Sequence, residues 1–454
     1  MPAYFASRAL LPDGMARNVR FDVDEQGWFS TVTRDASADE TTHLLSGIVV
    51  PAMTNLHSHA FQRAMAGMAE VAGDPQDSFW TWRDLMYRMV ARLTPEQVRV
   101  IATRLYIDML KGGYSQVAEF HYLHHDPKGK AYPGDAMLCH LLAAAEQSGI
   151  GQTMLPVLYS YSGFGAQPPL AGQKRFIQDV DHYLRQQQHL AAQVRHHPRL
   201  SHGLCFHSLR AVTQNQMEDV LEATGSDLPI HIHIAEQQKE VDDCLAWSGE
   251  RPVSWLFNRF AVDARWCLVH ATHLDDHEIK QLAHSQAVAG LCPTTEANLG
   301  DGIFPLDRYV DLGGRWGIGS DSHVSLNVVE ELRWLEYAQR LRDRRRNRVV
   351  TAQQPCVGTV LYQQALSGGA QACRVPVGAL ATGWRADWLV LTEDAMLSAI
   401  SDEALLNRWL FAGGQQQIRD VWVAGKQVID HGHHALDEEF DRLFIDVMKA
   451  WQVA

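Results

Sequence analysis

Between residues 47 and 320 the chain alternates short apolar, β-rich runs with longer helix-like stretches, a pattern that few folds accommodate. The apolar runs fall at 47–57, 114–122, 153–159, 202–208, 229–234, 266–270, 287–292 and 315–320. Helical stretches lie between or after them, at 94–111, 134–149, 172–194, 213–224, 238–259, 275–285 and 325–346. Two open on capping signals, Thr213 before Gln216 and Asp275 before Glu278. Strands that alternate with helices imply parallel βαβ units, and eight such runs predict an α/β fold of the (β/α)8 TIM-like barrel type. In such a barrel the chemistry sits at the C-terminal ends of the strands.

The two chain ends read differently. Residues 1–50 hold short strand-like segments, Ala3-Tyr-Phe-Ala, Asn18-Val-Arg-Phe-Asp-Val and Trp28-Phe-Ser-Thr-Val, separated by turn signals. They are too few to fold alone, and matching strands recur at Asp387-Trp-Leu-Val-Leu and from Ile418 to Ile429. The economical layout is a small β-sandwich domain made from 1–50 plus 376–435, a catalytic barrel over 51–375 and a C-terminal helix over 436–454. No apolar run approaches the roughly 18 residues that span a bilayer. No secretory signal pattern opens the chain. Seven scattered cysteines without a Cys-x-x-Cys pair read as reduced thiols, so a cytoplasmic protein is expected. A formal net charge of −13 disfavours nucleic acid as a partner.

Which polar residues finish the strands decides the chemistry. The first ends with His57 and His59, which point to one face because they are two residues apart. The second ends with Glu119, His121 and Tyr122, and the fourth with His207, with Arg210 just beyond. The fifth contributes His231, His233 and Glu236, the sixth His270, and the eighth Asp321 in Gly-Ile-Gly-Ser-Asp-Ser-His323. His57, His59 and His233 as nitrogen ligands, Asp321 as oxygen ligand and a water compose one mononuclear metal site. Zinc is the expected metal, although iron suits the same donors. Glu236, one turn past His233, stands where protons are handled rather than metal bound.

This order, His-x-His after strand one, then His, His and Asp after strands five, six and eight, resembles the amidohydrolase superfamily. The segments Pro376-Val-Gly-Ala-Leu-Ala-Thr-Gly-Trp-Arg-Ala-Asp-Trp-Leu-Val-Leu and Val421-Trp-Val-Ala-Gly-Lys-Gln-Val are similar to that family's C-terminal signature. No lysine follows a central strand where a bridging carbamylated lysine would sit, and His233-Ile-Ala-Glu236 resembles the mononuclear deaminase branch. The resemblance implies that Glu236 shuttles a proton and that His270 polarises substrate or orients the water. It further implies that Asp321 binds metal and accepts the water's proton, and that the protein is a homodimer.

A second group of residues surrounds these without binding metal: Gln62, Arg83 in Ser78-Phe-Trp-Thr-Trp-Arg83, Tyr122, His207 and Arg210. Two arginines, a tyrosine, a histidine and an amide in one pocket suit carboxylates, which guanidinium forks bind bidentately. Phe79-Trp-Thr-Trp-Arg83 and Phe206-His207-Ser-Leu-Arg210 resemble members of the branch that act on N-formimidoyl-L-glutamate, an intermediate of bacterial histidine degradation. The resemblance implies a small-molecule dicarboxylate substrate, held by those five residues and hydrolysed to N-formyl-L-glutamate and ammonia. Which arginine takes which carboxylate stays open, as does closure of 60–90 as a lid. Two other readings remain: a nucleobase deaminase of the same superfamily, and a metal-free barrel serving as a scaffold.

Several features have plainer explanations. His231 is expected to pack inside the barrel. His273 and His323 are either supporting hydrogen-bond partners or exposed. His124–His125, His196–His197 and His431, His433 and His434 read as loop or surface residues, and Arg340–Arg348 as the end of an exposed helix. Trp247, Trp255 and Trp334 read as core or dimer surface.

Overall fold

The structure is a computed structural model that describes residues 2–71 and 79–452. The N-terminal segment forms β1 (Ala3–Leu11), β2 (Gly14–Val23), β3 (Phe29–Thr33) and β4 (Thr42–Pro51). The central strands are β5 (Met53–Ser58), β6 (Tyr114–His121), β7 (Gly151–Pro156), β8 (Leu200–His202), β9 (Leu204–Ser208), β10 (Ile230–Ile234), β11 (Trp266–His270), β12 (Val288–Leu291) and β13 (Arg315–Ile318). The C-terminal segment adds β14 (Trp388–Leu391), β15 (Ile418–Val423) and β16 (Lys426–Ile429).

The central strands pair in parallel as β5-β6-β7-β8 and β9-β10-β11-β12-β13. Two short seams join these arcs into a barrel. Leu158 bridges Phe206, its N–H reaching the Cys205 carbonyl at 2.8 Å while His207 N–H reaches the Leu158 carbonyl at 3.1 Å. Ser58 bridges Asp321, with Asp321 N–H to the His57 carbonyl at 3.0 Å and His59 N–H to the Asp321 carbonyl at 3.3 Å. The eight expected strands are all present, the fourth split at Gly203. A Cβ there would stand 2.7 Å from both the Leu155 and Pro229 side chains, so only glycine lets the chain turn between β8 and β9.

The helices follow their local signals. Thr213 and Asp275 form the expected capping boxes with Gln216 and Glu278. The expected 238–259 helix is instead two, Gln238–Ser248 and Pro252–Arg259. Gly249 takes a left-handed C-cap and Pro252 opens the next helix, the usual division of labour between these residues. The helix expected from 172 starts only at Val180, capped by Asp179. The C-terminal helix spans Asp437–Gln452 and docks on the helix Pro95–Lys111, with Lys111 Nζ 2.6 Å from Asp437 and Arg104 2.6 Å from Asp441.

The strands of both chain ends join one mixed sheet in the order β16-β15-β14-β4-β1-β2-β3. Phe29 on β3 packs against Trp388 on β14 at 5.8 Å between ring centroids, although three strands separate their own. The sheet therefore curls over a core of its own, built on Tyr4, Phe21, Phe29, Trp388 and Val390, which makes a small β-sandwich domain beside the barrel. At their boundary the wholly buried Arg385 pairs with the wholly buried Asp387 at 2.6 Å and reaches the Ser115 carbonyl on β6 at 3.4 Å. Asp387 also accepts from Ala424 N–H at 2.8 Å. Removing one charge strands the other in a low-dielectric interior. Arg385→Met should lower the unfolding free energy by about 3–5 kcal/mol in urea titration, and Arg385→Met with Asp387→Leu should recover part of that loss.

Candidate active site

The sequence Ile230-His-Ile-His-Ile234 alternates strictly, so β10 turns its isoleucines to one side and its histidines into the barrel. The upper one, His233, meets the pair from β5. His57 Nε2 lies 3.0 Å from His233 Nε2 and 3.4 Å from Asp321 Oδ1, and His59 Nε2 lies 3.3 Å from the same Oδ1. His59 Nδ1 is 2.9 Å from the Phe120 carbonyl, and His233 Nδ1 is 3.0 Å from the His207 carbonyl. A carbonyl only accepts, so both Nδ1 atoms carry protons and both Nε2 lone pairs face inward. Burial holds His57 down to about 3 and lowers His59 and His233 as well, so these imidazoles are neutral at pH 7. Burial also opposes ionisation of Asp321, but the His57 ring and the charges beside it keep its carboxyl below the usual carboxylate range. Neutral nitrogens and an oxygen anion converging on one point fit a divalent cation.

His270 completes this group from β11, with Nε2 3.7 Å from Glu236 and 3.8 Å from Asp321. Its donor atoms also lie close enough to His57 and His233 to share a metal with them. Its Nδ1 faces Glu296 at 3.3 Å. Burial works against an imidazolium here, yet Glu236, Glu296 and Asp321 together lift His270 to about 10. Burial pushes Glu236 up to about 7, with Asp321 adding to the rise and His270 opposing it. The site thus pairs a carboxyl that holds a proton near neutrality with a carboxylate that does not, the arrangement an acid–base pair needs. Glu296 and the buried Asp301 near Glu236 escape a reading confined to strand ends. Glu296 lies one helical turn past β12, on the helix Pro293–Leu299, and Asp301 beyond that helix.

Strained backbone positions also occur here. Ala235, His270, Ala271, Asp321 and His323 all adopt positive φ between 46° and 67°. Non-glycine residues pay about 1–3 kcal/mol for such conformations, and these cluster where the strands release their functional side chains. The seam itself needs Gly319: a Cβ there would stand 2.7 Å from His57 Cβ.

Beneath the His-x-His turn, Glu119 accepts from Ala60 N–H and Ser58 Oγ, each at 2.7 Å, and from Tyr106 OH at 3.0 Å. His323 is buried against Ser320 Oγ at 2.9 Å, and so supports the turn rather than facing solvent. His231 is packed inside and bonds the Ala372 carbonyl at 2.8 Å. His273 is partly buried on the Asp301 carbonyl at 2.8 Å. His124 and His125 lie in a loop, as expected, but are buried there: the Val157 and Ile177 carbonyls bond their Nε2 atoms at 3.0 and 2.8 Å, and the Arg175 carbonyl accepts from both backbone N–H groups. Arg340 and Arg342 close the helix Val328–Asp343, which ends before Arg348, and all three form ion pairs with Glu336, Asp307 or Asp343.

Above the histidines one cavity is lined by His59, Gln62, Arg83, Tyr122, His207, Arg210, His233, Glu236, His270 and Asp321. All five residues expected to bind substrate are therefore brought together. Gln62 Nε2 bonds Tyr122 OH at 3.0 Å. Arg83 stands on the helix Phe79–Val90, whereas Ser78, expected beside it, lies outside the described residues. Trp82, Met86, Tyr87, Tyr159, Phe176 and Leu299 also line this cavity. Of these, Tyr159 had a usable signal in the sequence, since it closes the third apolar run.

A family model described as "Amidohydrolase family" matches residues 48–428. The chain belongs to the amidohydrolase family. Among its relatives, formimidoylglutamate deiminase of Pseudomonas aeruginosa is 60% identical over 450 residues, covering 99% of each chain. The crystal structure of an amidohydrolase from Brucella melitensis aligns with TM-score 0.94 at 43% identity over 99% of both chains. An adenosine deaminase from Xanthomonas campestris, solved with bound zinc, aligns with TM-score 0.79 at 21% identity over 99% of this chain and 98% of its own, a likeness of fold.

Glu119 offers a test of how this amidohydrolase site is supported. Burial raises its pKa to about 7, against which its three donors work. A folded-state pKa above the unfolded value of 4.5 means that the group's stabilisation is present below pH 4.5 and is lost as pH rises through 7. Glu119→Gln does not titrate, so the stability advantage of the wild type over it should shrink by about 2 kcal/mol between pH 5 and pH 8 in urea unfolding. An unchanged gap would contradict this account.

Proposed function

We propose that this amidohydrolase hydrolyses N-formimidoyl-L-glutamate to N-formyl-L-glutamate and ammonia. The observation that carries the reading is end-to-end similarity to the Pseudomonas deiminase. The convergence of Gln62, Arg83, Tyr122, His207 and Arg210 over a buried histidine–aspartate cluster supports it. Such a pocket suits a ligand with carboxylates at a distance from its reacting carbon.

In this reading His57, His59, His233 and Asp321 hold one divalent metal, zinc by donor type, over a barrel formed by 51–375. When bound, that ion supplies the Lewis acidity that makes hydroxide available near neutral pH. Gln62, Arg83, Tyr122, His207 and Arg210 grip the two carboxylates and fix the formimidoyl carbon over the site, turning remote binding energy into orientation. Asp321 and His270 orient the attacking water, and Asp321 takes its proton. Glu236, protonated in part near pH 7, delivers a proton to the imine nitrogen as the C–O bond forms. A second proton, passed on by Asp321 or Glu236, makes that nitrogen a leaving ammonia; the C–N bond breaks as the hydroxyl on the tetrahedral carbon returns its proton to the Glu236 carboxylate and the formyl C=O forms. The sandwich of 2–50 and 376–435 and the C-terminal helix Asp437–Gln452 brace the barrel from outside the chemistry.

Seven unpaired cysteines support a reducing, cytoplasmic setting. For a homodimer, the exposed stripe Trp334, Tyr337 and Leu341 on the helix Val328–Asp343 is an apolar face to bury. Light scattering of the purified protein should give twice the chain mass of 51.0 kDa, and a monomer would remove the dimer.

Zinc-loaded protein should release ammonia from N-formimidoyl-L-glutamate and not from guanine, and the reverse pattern would replace this reading with a nucleobase deaminase. Arg210→Met should lower kcat/KM by about 30- to 1,000-fold, since a charge-paired contact is worth about 2–4 kcal/mol, while bound zinc by elemental analysis is unchanged. Glu236→Gln should lower kcat by about 10²–10⁴ at similar KM. Chelation should abolish turnover and added zinc should restore it. Activity that persists in metal-free protein would exclude the metal-assisted route.

A further inference from the structure

Gln173 is wholly buried and its amide can face only one way. Its Oε1 accepts from the Leu170 backbone N–H at 2.7 Å, and a backbone N–H cannot accept, so oxygen and nitrogen are unambiguous. Its Nε2 therefore donates, to Tyr159 OH at 2.8 Å and to Tyr87 OH at 3.3 Å. Both hydroxyls accept from the one amide nitrogen, so neither spends its own proton on Gln173, whose oxygen is taken by Leu170 N–H. Both tyrosines line the catalytic cavity.

The surroundings decide what those protons meet. Tyr159 packs at 4.2 Å, centroid to centroid, on His207, and its hydroxyl lies within the field of Arg210 and Arg83. The Arg83 guanidinium sits 5.5 Å from the Tyr87 ring centroid. This end of the cavity is lined by guanidinium groups, which only donate, and by an O–H turned outward by an amide that also donates. Guanidinium and hydroxyl donors at one end of a cavity favour an anionic group there, alongside the Glu240 and Glu236 charges that also act on Arg210.

We infer that Tyr159 is a substrate-binding residue that donates a hydrogen bond to a substrate carboxylate, and that Gln173 is the positioning residue that compels it to donate. The inference rests on the deiminase reading above for the identity of the ligand, and on the hydrogen-bond directions alone for the donor role. It also separates Gln173 from Gln62, whose amide bonds Tyr122 but is pinned by no backbone group among the described residues.

The test uses the zinc-loaded full chain and N-formyl-L-glutamate as a binding probe in calorimetry, beside steady-state turnover of N-formimidoyl-L-glutamate. A hydrogen bond to a charged group predicts that Tyr159→Phe weakens probe binding and raises KM by about 10- to 100-fold, with kcat within about threefold. Gln173→Glu keeps the acceptor for Leu170 N–H but replaces the amide donor by a second acceptor, which draws the hydroxyl protons away from the cavity. It should weaken binding by at least about tenfold in the wild-type background, yet by at most about threefold in the Tyr159→Phe background, because its effect passes through that hydroxyl. Full additivity of the two substitutions would mean simple charge repulsion and would overturn the positioning role. Unchanged probe binding in Tyr159→Phe, or no binding to the wild type, would overturn the carboxylate contact. Tyr159-dependent binding without ammonia release by the wild type would leave this inference standing and remove the deiminase reading instead.

Discussion

Everything in this molecule depends on the closure of its first central strand against its last. The hydrogen bonds between His57, His59 and Asp321 tie the backbone of β5 to the segment after β13, and the same residues send their side chains to a common point. The closure is tight enough that residue 319 can carry no side chain. Backbone pairing thus does for the site what ligand affinity does not have to do: it holds the donor atoms together before anything binds, which reduces the ordering cost of binding.

Concentrating imidazoles and carboxylates inside a barrel creates an electrostatic burden that the surrounding fold relieves. The outer nitrogens of His59 and His233 spend their protons on backbone carbonyls. Glu119 collects donors from the turn below, and Glu296 sets a negative charge behind His270. The left-handed residues at the strand ends belong to the same arrangement, since they aim side chains inward where an extended strand would alternate them away. The consequence is chemical polarity within a few ångströms: neutral histidines, an ionised Asp321 and a Glu236 whose proton is held near neutrality.

The cavity above divides along similar lines. Near the histidines it offers both donors and acceptors, as a reaction that moves protons requires. Toward Arg83, Arg210 and Tyr159 it offers donors. Gln173 lies behind that second end and reaches it through Tyr159 and Tyr87.

The sequence by itself determined the barrel, the two-ended β-domain and the histidine–aspartate set, because periodicity and strand-end position are local properties that survive translation into three dimensions. His57, His59, His233, His270 and Asp321 were legible for that reason, as were Gln62, Tyr122, His207 and Arg210. Burial of His124 and His125 was not legible, since it comes from a distant segment folding over their loop. Neither was the break of the 238–259 helix, where Gly249 and Pro252 outweigh apolar spacing. Glu296, Asp301 and Gln173 lie outside the strand ends they serve, and although Tyr159 closes an apolar run, nothing local marks Gln173 as its partner. Only the tertiary structure decided their roles, because a hydrogen bond's direction and a carboxyl's pKa depend on which groups surround it in space and not on which precede it in the chain.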